Sequence, residues 1–134
     1  MATIFSKIVN RDLPAHIVGE DDHHLAFLDI NPLKKGHALA IPKKEVDYIF
    51  DLNEEEYLAL QRFSRKVGLA IEQTVDCKRI GIAVLGLEVP HAHIHLVPIH
   101  SEGDLNFSNP RVKMNDDELA QIAADIKQNF DSLS

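Results

Sequence analysis

HAHIHLVPIH (91–100) holds four of the chain's eight histidines. His91, His93 and His95 alternate with Ala92, Ile94 and Leu96, and Pro90 and Pro98 bound the run. Alternate side chains of a strand share a face, so the pattern predicts a strand with imidazoles on one side and an apolar row on the other. The apolar row must meet the core, against a long helix, which leaves the histidines facing an open side. Such a face has three readings: a metal site, a reactive histidine with helpers, or a solvated strand.

Spacing weighs against one ion shared by all three histidines. A strand rises about 3.3 Å per residue, so His91 and His95 lie roughly 13 Å apart along it. Zinc binds imidazole nitrogen at about 2 Å. Two of the three could still chelate with His37 as a further ligand. A solvated strand would carry Lys, Glu and Thr in place of imidazoles. The reactive reading needs fewer coincidences: one imidazole attacks a phosphorus or carbonyl centre, a neighbour fixes its tautomer, and others bind the developing anion. Imidazole is also neutral near pH 7 and able to carry a proton.

Outward from this strand, local signals place the other elements. FSKIVNRD (5–12) predicts a short helix ending before Pro14. HIVGEDDHHLAFLDI predicts two short strands around a polar turn at Glu20 to His23. HALAIPK (37–43) is a further strand, and RIGIAVLG (79–86) another, joined to the histidine run by GLEVP. Asn53 with Glu56 forms a capping-box pattern before a helical stripe of Tyr57, Leu60, Phe63, Val67, Ala70 and Ile71. Asn115 with Glu118 repeats it before Leu119, Ile122, Ala123, Ile126 and Phe130. The expected class is α+β: a mostly antiparallel sheet packed with one long helix, plus short N-terminal and C-terminal helices.

The 134 residues suit one domain, 1–134, with the motifs in about 3–98 and a loop and helix in 99–134. Hydrophobic residues at 45% allow a core, and the net charge of −7 argues against a nucleic-acid partner held by phosphate attraction. Cys77 is the only cysteine, which excludes an internal disulfide and multi-thiolate zinc sites. No secretory leader and no bilayer-spanning run is expected, so no membrane partner is expected and the location is read as cytoplasmic.

HAHIHLVP resembles the His-x-His-x-His-x-x motif of the histidine triad (HIT) superfamily. With FLDINP, KKGHALAIPKK and EVPHAHIHLVP in order, residues 3 to 98 resemble its Hint-like branch, purine nucleoside phosphoramidases and nucleotide hydrolases. The resemblance implies a HIT-like fold and a homodimer acting on a purine nucleotide. It makes His93 the nucleophile, through a nucleotidyl-histidine intermediate. His91 would orient His93, His95 would contact phosphate, and His37 would support the triad. Asp29 would bind the ribose hydroxyls, although an Asp before Asn-Pro is also turn chemistry. Phe5, Phe27, Leu28 and Ile30 would surround the base, and Glu88 and Val89 would approach the phosphate.

The resemblance implies no required cofactor and no metal ligand, with a divalent cation accompanying only a polyphosphate substrate. The rival to catalysis is a nucleotide-binding regulatory protein with negligible turnover. Three departures stand out. Leu87 replaces a Gln in a shortened approach to the triad, Thr3 and Ser6 occupy the Cys-x-x-Cys positions of zinc-binding members, and Glu45 replaces a histidine. Arg111, in the polar loop after the motif, is a candidate phosphate contact.

Overall fold

The computed structural model describes residues 2–133. In chain order it comprises α1 (Ile4–Val9), β1 (Ile17–Glu20), β2 (His24–Leu28), β3 (Ala38–Pro42), α2 (Glu54–Thr74), β4 (Arg79–Ala83), β5 (Ile94–Ile99) and α3 (Asp116–Ser132). Short 3-10 turns lie at Ile49–Asp51 and Glu102–Asp104. The five strands form one sheet in the order β1-β2-β3-β5-β4, and each neighbouring pair is antiparallel. The α+β expectation holds.

Both expected capping boxes close. Asn53 and Asn115 accept from the Glu56 and Glu118 backbone N–H, and each Glu carboxylate accepts from its cap residue's N–H. These bonds satisfy otherwise orphaned helix-start donors. A third box, Thr3 with Ser6, opens α1 earlier than expected. The helix also stops earlier. Arg11 adopts φ 64°, and Asp12 and Leu13 both donate back to the Lys7 carbonyl. A left-handed residue, and not Pro14, ends it. At 17 residues α3 is longer than the short terminal helix expected, because its stripe must cover β1 as well as α2.

One face of the sheet carries Ala26, Leu28, Ala38, Ala40, Ile94 and Leu96 into a core with α2 and α3. The other face buries Leu25, Phe27, Leu39 and Ile41 under Phe5 and Ile8 of α1. Leu39 lies directly opposite His95 in the ladder, so the histidine side is this second, covered face. The expected open face is therefore corrected: His91 is 0% exposed and His93 7%. The runs LAFL and ALAI, buried at every position, carried the signal, since strands covered on both faces read as continuous apolar stretches.

Two strand limits also move. Regular pairing of β5 begins at Ile94, after His91 and His93, with Ala92 N–H held by the Val46 carbonyl at 2.6 Å. Pro98 lies within β5, paired with Ile80, because the β3 ladder has already ended at Leu96 and a proline there forfeits no bond on that side.

Close approach of α3 to β1 depends on Gly19. A Cβ there would meet the buried Phe130 ring at 2.9 Å, whereas at Gly103 it would meet nothing within 4 Å. Gly19→Ala is expected to cost about 1–3 kcal/mol by overpacking, with Gly103→Ala near neutral. Urea unfolding of both variants checks this, and equal midpoints would show that the α3 contact yields freely.

Candidate active site

The ring nitrogens of four histidines have partners that fix their protons. The Leu33 backbone N–H donates to His37 Nδ1 at 3.0 Å, so Nδ1 carries the lone pair and Nε2 the hydrogen. His37 Nε2 lies 3.0 Å from His95 Nδ1 and donates to it, which leaves the His95 hydrogen on Nε2. His91 Nε2–H donates to the Pro42 carbonyl at 2.8 Å, and its Nδ1 accepts from the Thr3 hydroxyl at 3.1 Å. His93 Nδ1–H donates to the His91 carbonyl at 2.8 Å. Its Nε2 therefore carries a lone pair.

Among the described residues, Ser64 Oγ is the single buried side-chain N or O atom without a partner. The Nε2 atoms of His93 and His95, which have no hydrogen-bond partner among the described residues, therefore reach solvent. One presents a lone pair and the other an N–H. Their rings stand edge-to-face at 5.0 Å between centroids. A nucleophile and an anion donor thus stand side by side.

Burial keeps the supporting rings neutral. It pushes His37 from 6.5 down to about 4, and the Arg111 guanidinium acts in the same direction. Burial also lowers His95 to about 4, helped by His37, His93 and Arg111 and opposed by Asp29. His91 is lowered by burial, against the pull of the Pro42 carbonyl and Glu45. The charged form loses more by leaving water than the neighbouring groups return.

Asp29 serves the turn it begins. Its Oδ1 accepts from Asn31 N–H at 2.8 Å, while Oδ2 lies 3.8 Å from His37 Nε2. Asp29, His37 and His95 bring three potential ligand atoms within 4.8 Å of one another. The Leu33 N–H argues against an ion there. A histidine bound to metal through Nε2 carries its proton on Nδ1, and that proton would point at the Leu33 donor. Thr3 and Ser6, which stand where the resemblance set Cys-x-x-Cys, are tied up in hydrogen bonds. Thr3 Oγ1 accepts from Ser6 N–H, Thr3 N–H donates to Ser6 Oγ and Glu45 Oε1, and both His91 nitrogens are engaged. No thiolate stands at Thr3 or Ser6.

Of the residues expected around the base, Phe5 and Phe27 meet edge-to-face at 5.4 Å, and Phe5 also stands 5.0 Å from the His93 ring. Ile30, three residues after Phe27, is 71% exposed. Leu28 belongs elsewhere: strand alternation turns it into the α2–α3 core. Val89 packs against the α1-side cluster, and Glu88 is exposed.

Sequence reasoning missed Thr3, whose pattern with Ser6 was the available signal. It also missed Phe107, which packs edge-to-face on His95 at 4.8 Å and is the lone Phe, Tyr or Trp of the loop after β5. Arg111, read as a candidate phosphate contact, donates to the Asn31 and Phe107 carbonyls and holds that loop against the Asp29 turn. A cavity of about 370 Å³ adjoins His93, walled by Tyr48, Phe50, Tyr57, Leu85 and Leu87.

A family model described as HIT domain matches residues 10–102. A HIT-like protein of Methanocaldococcus jannaschii is 40% identical over 111 residues, covering 75% of this chain and 81% of its own. The adenosine 5'-monophosphoramidase of Schizosaccharomyces pombe is 31% identical over 128 residues, covering 94% and 96%. Among solved structures, a zinc-bound histidine triad family protein from Mycobacterium smegmatis is similar with a TM-score of 0.82 at 26% identity, over 98% of this chain and 94% of that one. A match across most of the chain, with the sheet and histidines arranged as described, leads to one conclusion: the chain belongs to the HIT family.

Proposed function

We propose that this protein is a nucleotide hydrolase acting through a nucleotidyl-histidine intermediate on purine nucleoside phosphoramidates or related adenylates. The observation that carries this reading is the His93 Nδ1–H bond to the His91 carbonyl, which leaves a solvent-reaching lone pair on Nε2. Nε2 attacks the α-phosphorus, and the His95 Nε2–H stabilises charge on a phosphate oxygen. Water then releases the nucleoside monophosphate. The relatives in Schizosaccharomyces pombe and Saccharomyces cerevisiae named as adenosine 5'-monophosphoramidases support this class.

In this reading Phe5, Phe27 and Ile30 surround the base. Asp29 Oδ2 accepts from the ribose, since Oδ1 already serves Asn31. Glu88 and Val89 approach the phosphate through their backbone. No cofactor is required, and a divalent cation enters only with a polyphosphate. A homodimer fits β4, an edge strand that exposes Ile82 at 56% and needs covering. Among the described residues no helix is long and apolar enough to cross a membrane, and the location proposed here is cytoplasmic.

Three outcomes test the reading. Mass spectrometry after quenching with an adenosine phosphoramidate should find an adenylylated wild type and an unmodified His93→Ala that still binds adenosine monophosphate. Binding with no adduct in the wild type would return the chain to the regulatory reading. Thr3→Val removes the donor to buried His91 Nδ1, leaving an acceptor unsatisfied at about 1–3 kcal/mol. Its kcat should fall at least tenfold with KM little changed, and Thr3→Ser should restore it. A Thr3→Ser variant as slow as Thr3→Val would show that the hydroxyl bond does not position the triad.

The third outcome concerns acid. His37 and His95 hold pKa values near 4 in the fold against about 6.5 unfolded. The unfolded state therefore binds more protons between these values, so stability is full above pH 6.5 and falls as pH drops toward 4. Thermal melting at steps from pH 7.5 to 5 should show a declining Tm before most carboxylates titrate. A flat profile would mean that neither ring is held neutral by burial.

A further inference from the structure

The turn from β1 to β2 reads EDDHH (20–24), and its histidines take no part in the chemistry at His93. His24 opens β2 with its side chain only 8% exposed. Its ring stacks on Phe63 of α2, with 5.0 Å between centroids and 22° between planes. Both Asp21 carboxylate oxygens accept from His24 Nδ1–H, at 2.9 and 3.0 Å, so the lone pair sits on Nε2. Nε2 has no hydrogen-bond partner among the described residues and is not a buried orphan, so it reaches the cavity of about 600 Å³ that His24 lines. Asp21 Oδ1 also accepts from the His23 and His24 backbone N–H. That turn keeps two consecutive rings 6.3 Å apart, where a strand would send them to opposite faces. Two cations of the lining are already paired, Lys43 with Glu20 and Lys44 with Glu56. Asp22, Glu55 and Arg62 also line it, exposed and without an ion-pair partner among the described residues. Two carboxylates against one guanidinium favour a cation over an anion.

We propose that this turn holds a divalent transition-metal ion, bound by His24 Nε2 and His23, with a carboxylate from Asp22 or Glu55 and water completing the shell. A metal-bound imidazole donates its other N–H to a carboxylate, which fixes ring and tautomer, and Asp21 already fills that place. His37 is the reverse case, since a backbone N–H occupies its Nδ1. Zinc and nickel accept imidazole nitrogen, whereas magnesium and calcium demand an oxygen shell that two rings cannot give. Thr3, Ser6, His37 and the triad histidines do not line this cavity, so the ion serves no step at His93. His24 is the pre-set ligand. His23, Asp22 and Glu55 are exposed and swing to the ion at a cost in rotamer freedom, which makes the affinity that of a surface site.

Calorimetric titration of the whole, chelator-treated protein with zinc chloride tests the proposal. The wild type should bind zinc in the presence of excess magnesium, and His24→Gln should abolish that binding. Asp21→Asn keeps an acceptor for the turn but loses the charge behind His24, and should weaken zinc about tenfold, the scale of a lost outer-shell partner. Zinc should raise the Tm of the wild type and leave that of His24→Gln unmoved, because an ion bound only by the folded state stabilises it. Loss of the Phe63 stacking could unfold His24→Gln, so His23→Gln, on the exposed turn, carries the test independently. It should bind zinc at least tenfold more weakly with phosphoramidate turnover unchanged. A wild type that binds no zinc would overturn the proposal, as would equal affinity in His23→Gln and wild type. Zinc binding lost in His37→Gln and kept in His24→Gln would place the ion at Asp29, His37 and His95 instead. Inorganic phosphate bound by the wild type in place of zinc, and released by Arg62→Gln, would make the cavity an anion site and also overturn it.

Discussion

One backbone donor, the Leu33 N–H against His37 Nδ1, determines which way the protons lie across the site. Because that donor cannot rotate or change sign, His37 must be an Nε2–H tautomer, His95 must accept at Nδ1, and the outward nitrogen of His95 must be a donor. Two backbone carbonyls, of Pro42 and His91, perform the same service for His91 and His93. Main-chain groups are fixed by the sheet and the turns, so the chemistry of four imidazoles follows from the fold. A side-chain partner could drift or titrate; these cannot.

The covering of that face has an electrostatic purpose. On a chain of net charge −7, exposed imidazoles would be drawn toward protonation. Burial beneath the Phe107 ring and the nearby Arg111 oppose it for His37 and His95, and Phe5 of α1 covers His91 and His93. The energy comes from the apolar contacts of Phe5 and Ile8 with Leu25, Phe27, Leu39 and Ile41. The same helix carries the Thr3 hydroxyl to His91, so packing and proton placement arrive in one element.

Much of this was readable from local pattern. The caps of α2 and α3 are three-residue signals, and their stripes repeat every turn, so Leu60 and Ile126 could be placed inside without any partner in view. The strand alternation around Ile94 separated the two faces correctly. What could not be read was which tertiary piece covers the histidines, because Phe5 meets His93 across nearly ninety residues of chain. Leu28 went astray for a related reason: neighbours in sequence within a strand point to opposite layers. Phe107 needed Arg111 and Asn31 to fold its loop back, a long-range pairing with no periodic signature.

The family match spans residues 10–102, yet Thr3, Phe5, Phe107 and Arg111 all lie outside it. Four of the groups that surround the triad therefore sit on two flanking segments that can vary while the motif itself stays intact. Such a layout separates heritable chemistry from heritable tuning. Drift or recombination in the flanks can reset proton affinity, access and selectivity, and leave the nucleophile and its backbone tethers unchanged. Paralogues can then diverge in duty while they still look alike at the motif.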